Sequence, residues 1–178
     1  MDRWMRLNQR IVLVVVPVAL IGALAGCGDL LEPDLSPSDV DSVQARNALI
    51  SEEIDLPADY VFIAGVAYPP GFSGHTGYRL MFEARVTLFD DSQRLQGAYV
   101  GDSYDREFSE FRPIDCGAGL LATARQKRWT TCDSTTRAKY ITNDATNPDS
   151  TDVGYGSAAI VLVADAEKTQ VHVVIGGT

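Results

Sequence analysis

The sequence predicts an α+β fold: a mainly antiparallel sheet with one or two helices packed on one face, and one disulfide. Three observations lead to this prediction. Strand-like and helix-like segments do not alternate strictly, as they would in a parallel β/α protein. Residues 78–88 alternate apolar and polar side chains with a period of two, as in a strand with one buried face. Residues 159–163 and 171–175 are apolar on either side of a polar stretch, which is typical of a hairpin.

The first predicted element is a helix that begins at Ser38. Ser38 and Asp41 resemble a capping box, with Asp in place of the usual Glu or Gln. Apolar residues then recur every three or four positions, and Pro57 ends the run. These apolar positions are Val40, Val43, Leu49, Ile50 and Ile54. Residues 60–68 are β-branched and aromatic, and we expect them to form a strand that pairs antiparallel with residues 78–88.

The middle of the chain has a weaker pattern. Residues 89–99 fit a short amphipathic helix, although Gly97 weakens that interpretation. Residues 101–152 are polar and have no clear period. We predict long irregular connections there, with one strand near residues 138–142.

The N-terminal segment is typical of an export signal. Residues 1–10 carry three arginines, and residues 11–26 contain no charged residue. A positive start followed by a short apolar run indicates a secretory signal peptide. An uncleaved membrane anchor is the alternative, but it needs about 20 predominantly apolar residues. Pro17, Gly22 and Gly26 interrupt the run here.

The apolar run ends in Leu24-Ala25-Gly26-Cys27, which resembles the lipobox of bacterial lipoproteins. The resemblance implies that the Cys27 thiol carries a diacylglycerol and that a signal peptidase cuts after Gly26. Two acyl chains anchor a protein stably, because each buried methylene contributes about 0.8 kcal/mol. The alternative is ordinary secretory cleavage that leaves Cys27 free. The resemblance implies a mature protein that is lipid-anchored at the cell membrane, on the extracytoplasmic face.

The same resemblance divides the chain into three parts. Residues 1–26 form the signal peptide, residues 27–39 form the lipidated cysteine with a flexible acidic tether, and residues 40–178 form one globular domain. The layout of residues 45–100 and 155–176 is also similar to that of small uncharacterised lipoproteins of high-GC Gram-positive bacteria. That similarity implies no activity and transfers no catalytic residue.

The charge of the chain argues against two classes of partner. From residue 27 onward there are 12 basic and 23 acidic residues, a net charge of −11. Nucleic-acid binding requires clustered Lys and Arg to neutralise phosphates, so we predict no nucleic-acid partner. Electrostatic docking to anionic lipid headgroups is disfavoured for the same reason. The predicted partners are the membrane, through the lipid on Cys27, and a protein or a cell-wall component.

The cysteine count predicts a disulfide. Three cysteines are present, and lipidation of Cys27 leaves Cys116 and Cys132 as a pair. Exported proteins commonly oxidise such pairs, and a loop of this size would stabilise the fold by roughly 3 kcal/mol. A metal site or a redox pair is the alternative. The 15 intervening residues do not match C-x-x-C, and the two histidines, His75 and His172, are distant in sequence.

Few residues indicate chemistry. His75 lies in a Gly-rich loop between two predicted strands, and alternation places His172 opposite Val171 and Val173, toward solvent or the sheet surface. One basic cluster is a candidate contact site for an acidic partner or a phosphorylated cell-wall polymer. Its members are Arg125, Lys127, Arg128 and Trp129. No serine-nucleophile, metal or nucleotide motif is present, so we predict no catalytic residue, no metal and no cofactor.

Two functions remain open from the sequence. The first is a lipid-anchored, non-enzymatic binding protein of the cell envelope, and the alternative is a small envelope hydrolase that uses His75. The aromatic residues of the middle region line a groove or fill a core; they are Tyr104, Phe108 and Phe111. We expect the two functions to be separated by whether His75, the basic cluster and these aromatics share one pocket.

Overall fold

One antiparallel sheet organises the part of the chain that the computed structural model describes. The described residues are 36–70, 74–85, 89–90, 110–142, 148–154, 156–165 and 167–177. They form seven strands: β1 Ser38–Asp39, β2 Val61–Tyr68, β3 Gly77–Arg85, β4 Arg112–Ile114, β5 Arg137–Thr142, β6 Ala158–Ala164 and β7 Lys168–Ile175. They also form two short α-helices, α1 Ser42–Ser51 and α2 Ala122–Gln126, and a 3₁₀ turn, Gly119–Leu121, leads into α2.

The order of the strands is β1-β2-β3-β7-β6-β5-β4, and every neighbouring pair is antiparallel. The chain builds one edge first, crosses to the opposite edge at β4, and returns to the centre with β7. Ile175 of β7 therefore pairs with Tyr78 on one side and with Ala158 on the other. The predicted antiparallel pairing of residues 60–68 with 78–88 is confirmed, and so is the closing hairpin.

Both faces of the sheet are covered. β6 is apolar and buried at all seven of its positions. Ile160 and Leu162 point into a first core, and Val161 and Val163 point into a second core on the opposite face. Helix α1 packs on the first core, whereas the 3₁₀ turn and α2 pack on the second. The sequence predicted that the helices pack on one face of the sheet. This part of the prediction is not confirmed, because α1 and α2 pack on different cores. A strand without polar positions needs cover on both sides.

The N-cap of helix α1 is Asp41, three residues after the predicted cap at Ser38. The side chain of Asp41 accepts hydrogen bonds from the backbone N–H groups of Val43 and Gln44. In turn, Oε1 of Gln44 accepts from the backbone N–H of Asp41. This is a complete capping box, and it replaces the predicted cap at Ser38. Ser38 instead belongs to β1, which pairs with β2, so the last two residues of the predicted tether form part of the sheet.

The buried face of α1 also differs from the prediction. Ala45, Ala48 and Leu49 are its buried residues, whereas Val43 and Ile50 are each 66% exposed. The predicted helix face was therefore wrong at these two positions. The small side chains of Ala45 and Ala48 let the helix lie close to the sheet beside the buried Leu49, whereas Val43 and Ile50 remain at the surface.

The middle of the chain is more regular than predicted. Within residues 110–142 the structure places β4, the 3₁₀ turn, α2 and β5, and the predicted strand near residues 138–142 is confirmed as β5. Of the helix predicted for residues 89–99, only Phe89 and Asp90 are described, and they form a turn. The remainder lies outside the described residues.

The signal peptide, the lipobox with Cys27, and the predicted tether as far as residue 35 also lie outside the described residues. In the part of the chain that is described, no helix is long and apolar enough to cross a membrane.

Candidate functional site

The predicted site residues that the structure describes do not meet in one pocket. His75 is exposed in the connection from β2 to β3, and it lines neither the groove nor the small cavity described below. Phe111 packs against the first core, whereas Trp129 packs against the second. These two aromatic residues therefore lie on opposite faces of the sheet. Tyr104 and Phe108 lie outside the described residues.

Two members of the predicted basic cluster, Arg125 and Arg128, take part in the backbone structure around α2. Nη1 of Arg125 donates to the carbonyl oxygens of Cys116 (2.7 Å) and Ala118 (2.8 Å). Lys127 Nζ lies 3.8 Å from Oδ1 of Asp39, and both side chains are well exposed. Arg128 has a φ of 58°, the left-handed conformation that ends many helices. Arg125 is thus engaged by backbone, while Lys127 and Arg128 remain at the surface.

The two cysteines lie where the sequence predicted a disulfide. The sulfurs of Cys116 and Cys132 are within bonding distance, and their Cα atoms are 5.7 Å apart. That separation falls within the range of about 4.4 to 6.8 Å that a disulfide spans. The pair joins the two ends of the segment that holds the 3₁₀ turn and α2, which covers the second core.

A second basic cluster, which the sequence analysis missed, surrounds Phe89. Arg137 Cζ lies 4.6 Å and Lys139 Nζ 4.5 Å from the ring centroid of Phe89, within the range of cation–π contacts. Arg137 also pairs with Asp90 at 3.4 Å. Desolvation lowers the pKa of Lys139, and the nearby Asp90 charge opposes that shift. Arg137 and Lys139 are separated by one residue along β5, so no run of consecutive basic residues marks this cluster in the sequence.

Arg79 is a buried charged side chain on the second face of the sheet, and it makes four hydrogen bonds. Its Nη1 donates to the carbonyl oxygens of Tyr78 (2.9 Å) and Ile175 (3.0 Å). Its Nη2 donates to the carbonyl oxygen of Thr151 (3.1 Å) and to the Asp152 carboxylate (2.8 Å). The guanidinium carbon also lies 5.3 Å from the ring centroid of Tyr68. Arg79 therefore ties β3 to the end of β7 and to the segment before β6.

His172 is buried, which shows that its predicted exposure was wrong. It faces away from Val171 and Val173 as alternation predicted, but Trp129 and α2 cover that face. Its Nε2 lies 3.3 Å from Oε1 of Gln170, whose amide nitrogen donates to the Trp129 carbonyl oxygen at 3.0 Å. Desolvation lowers the pKa of His172 to about 4, so the imidazole is neutral at pH 7.

Arg79 and His172 border the same small cavity between α2 and the sheet. Its volume is about 10 Å³, close to the minimum for one water molecule, and its lining also includes Thr123 and Trp129. Among the described residues, Arg79 Nε is buried and has no hydrogen-bond partner. The cavity is too small for a substrate, so this buried polar cluster is suited to a structural role.

A larger concave surface lies between α1 and the start of β2. This groove has a volume of about 720 Å³, within the usual range of about 300 to 1,000 Å³ for ligand sites. Its lining comes from α1, from the segment that follows α1, and from β2 and β3. The lining residues are Ser42, Arg46, Leu49, Ile50, Ile54, Asp55, Leu56, Pro57, Ala58, Tyr60, Val61, Phe62 and Phe82. None of the described residues that the sequence predicted as site candidates lines it.

The groove was not predicted because its exposed apolar residues were assigned to a buried helix face or to a strand core. Ile50 and Val61, which line the groove, are 66% and 61% exposed, whereas Phe82, which also lines it, is buried.

Comparisons with protein-family models, with curated proteins and with solved structures found no significant match.

Proposed function

We propose that this chain is a lipid-anchored protein of the cell envelope, held on the extracytoplasmic face, whose folded domain binds a partner without catalysis. The observation that carries the proposal is the lipobox Leu24-Ala25-Gly26-Cys27 at the end of the N-terminal apolar run. A mature chain with a net charge of −11 from residue 27 onward would not bind anionic headgroups by itself, so a covalent lipid is the means of attachment.

The anchor would keep the domain close to the membrane. The first strand begins at Ser38, 11 residues after Cys27. A fully extended chain of that length spans at most about 40 Å. Export to an oxidising compartment would also explain why Cys116 and Cys132 lie at disulfide distance, and we propose that they are oxidised in the mature protein.

Binding is favoured over hydrolysis by the positions of the candidate groups. His75, on which the hydrolase alternative depends, is exposed and lines neither the groove nor the small cavity. His172 is buried beneath Trp129 and α2, away from the groove. The groove itself offers apolar side chains with Arg46 and Asp55, which suits recognition of a partner.

Membrane fractionation tests the anchoring. We expect the full-length protein to sediment with membranes and to be released by detergent, and the Cys27→Ser variant to be soluble or retained as an uncleaved precursor. Gly28→Ser is the matched control, because it changes the neighbouring residue and leaves the thiol in place. Membrane association of Cys27→Ser with the same extraction behaviour and the same mature size as the wild type would refute the proposal.

A further inference from the structure

We propose that the small cavity between α2 and the sheet binds one water molecule, which accepts a hydrogen bond from Arg79 and donates one to His172. The inference goes beyond the proposed function, because it depends neither on the lipid anchor nor on a partner protein. Two features of the cavity carry it: a buried donor on β3 that still needs an acceptor, and an acceptor nitrogen on the neighbouring strand β7.

The donor is the N–H group at Nε of Arg79. A guanidinium has five N–H donors, and four of those of Arg79 are used. They donate to three backbone carbonyl oxygens and to the Asp152 carboxylate, at distances from 2.8 to 3.1 Å. Nε, the fifth, is buried and has no hydrogen-bond partner among the described residues. Because a buried donor without an acceptor loses its hydration uncompensated, such groups commonly bind ordered water.

The acceptor is a ring nitrogen of His172. The amide nitrogen of Gln170 donates to the Trp129 carbonyl oxygen at 3.0 Å, so Oε1 of Gln170 is the atom that faces His172. An amide oxygen only accepts, and Nε2 of His172, 3.3 Å away, therefore carries the ring proton. Desolvation lowers the pKa of His172 to about 4, so the ring is neutral at pH 7. Nδ1 of this neutral ring can only accept a hydrogen bond.

The size and the lining of the cavity fit one water molecule. Its volume of about 10 Å³ is close to the minimum of about 10 to 15 Å³ that one water needs. Its lining residues with polar side-chain groups are Arg79, Thr123, Trp129 and His172. The Thr123 hydroxyl lies 3.0 Å from the Tyr68 hydroxyl and has the capacity for a second hydrogen bond. The lining therefore offers the two to four partners that buried water typically has.

A donor and an acceptor at one cavity select water over an ion. A halide ion could accept from Arg79 Nε, but it has no proton to donate to His172. A metal cation could bind a ring nitrogen of His172, but the Arg79 guanidinium would repel it, and the lining of the cavity contains no carboxylate. Water both accepts and donates, so it satisfies the two groups together.

A water molecule in this cavity joins three elements of the fold. Arg79 lies on β3, His172 on β7 and Thr123 on α2. Helix α2 belongs to the segment between Cys116 and Cys132, which covers the second core. The bound water therefore fastens that segment to the centre of the sheet and completes the hydrogen bonding of the buried guanidinium.

A crystal structure of the full-length protein, purified in detergent and determined at a resolution that shows ordered water, tests the inference. We expect one water peak in the cavity, within hydrogen-bond distance of Arg79 Nε and of His172 Nδ1. A bromide soak of the same crystals distinguishes a halide site from a water site. We expect no anomalous bromide peak at this position.

NMR spectroscopy of the same protein with isotope-labelled arginine tests the site in solution. We expect the Nε proton of Arg79 to show a contact with a long-lived water molecule, and that of the exposed Arg46 in α1 to show none. Ala124→Val adds side-chain volume to the lining and should abolish the Arg79 contact. Ala122→Val is the matched control, because it makes the same change in α2 at a position that does not line the cavity, and the contact should persist.

Several results would overturn the inference: no water peak in the cavity, a bromide peak there, or a direct hydrogen bond from Arg79 Nε to a protein oxygen. A water contact of Arg79 that survives Ala124→Val, or that disappears in Ala122→Val, would also overturn it. Circular dichroism shows whether each variant is folded. The crystal structure and NMR spectrum of the wild type decide the inference even if a variant does not fold.

Discussion

Arg79 of β3 and Asp152, which precedes β6, form an ion pair with an Nη2–Oδ1 distance of 2.8 Å. The Arg79 side chain is only 8% exposed, whereas that of Asp152 is 39% exposed. Asp152 Oδ1 also accepts from the N–H of Val153 at 2.8 Å. One carboxylate thus neutralises a buried cation and fixes the turn that leads into the central part of the sheet.

We expect Asp152→Ala to lower the free energy of unfolding by about 2 kcal/mol, because it removes a charge-assisted bond and leaves a buried guanidinium less well paired. Chemical denaturation monitored by circular dichroism measures the change. Asp39→Ala is the control, since the Asp39–Lys127 pair is exposed and its atoms are 3.8 Å apart. That control should change stability by less than about 0.5 kcal/mol. Equal effects of the two substitutions would contradict the structural role of Asp152.

Burial of His172 predicts a loss of stability in acid. Its pKa is lowered to about 4 in the folded protein, against about 6.5 in the unfolded chain. The unfolded chain therefore binds more protons between these pH values, and stability falls as the pH drops from 6.5 toward 4. We expect this group to contribute about 3 kcal/mol to that fall.

His172→Gln should reduce the difference in unfolding free energy between pH 7 and pH 4, measured by denaturation at each pH. The exposed His75→Gln is the control and should retain the pH dependence of the wild type. If both variants keep the wild-type dependence, protonation of His172 is not coupled to unfolding.

Arg128 predicts a stabilising substitution. It has a φ of 58° at the end of α2, where Trp129 N–H bonds to the Ala124 carbonyl at 2.8 Å. A residue with a Cβ pays a steric cost of about 1 kcal/mol in this conformation, and glycine avoids it. We expect Arg128→Gly to raise the melting temperature by an amount that corresponds to about 1 kcal/mol. Arg128→Ala removes the same charge and should give no such gain.

The proposed disulfide between Cys116 and Cys132 predicts a stability that depends on redox conditions. The double variant Cys116→Ser/Cys132→Ser should be less stable than the oxidised protein by roughly 3 kcal/mol, because its unfolded chain is less constrained. Adding a reductant should destabilise the wild type and leave the double variant unchanged. A wild type whose denaturation midpoint does not respond to complete reduction would show that the bond contributes nothing to stability.

Local sequence patterns predicted most of the strands. Residues 78–85 of the predicted period-two stretch lie in β3, and the two apolar runs near residues 159–163 and 171–175 lie in β6 and β7. Alternation also predicted that His172 faces away from Val171 and Val173. Each of these features depends on residues that are close in sequence, which is why a single chain reveals them.

Features that depend on distant residues were not predictable in this way. Trp129 and α2 cover His172, and nothing near His172 in the sequence marks them as neighbours. The helical spacing of Val43 and Ile50 predicted burial, but the core accepts α1 through smaller alanines. One feature of the sequence does indicate cover on both faces of the sheet: β6 has no polar position, which is typical of a strand buried on both sides.

The groove depends both on local sequence patterns and on contacts between residues that are distant in sequence. Its exposed apolar residues look like core positions in the sequence, because periodicity reports amphipathicity and does not reveal which apolar residues find a neighbour. No sequence pattern marks its charged lining residues, Arg46 and Asp55, as neighbours, and only the fold places them on one surface.

Mass spectrometry of the intact protein extracted from membranes tests the lipid anchor most directly. We expect a chain that begins at Cys27, carries the added mass of a diacylglycerol, and loses that mass on ester hydrolysis. A chain that begins at Cys27 without lipid, or one that retains the first 26 residues, would contradict the proposal that a lipidated cysteine holds this acidic domain at the membrane.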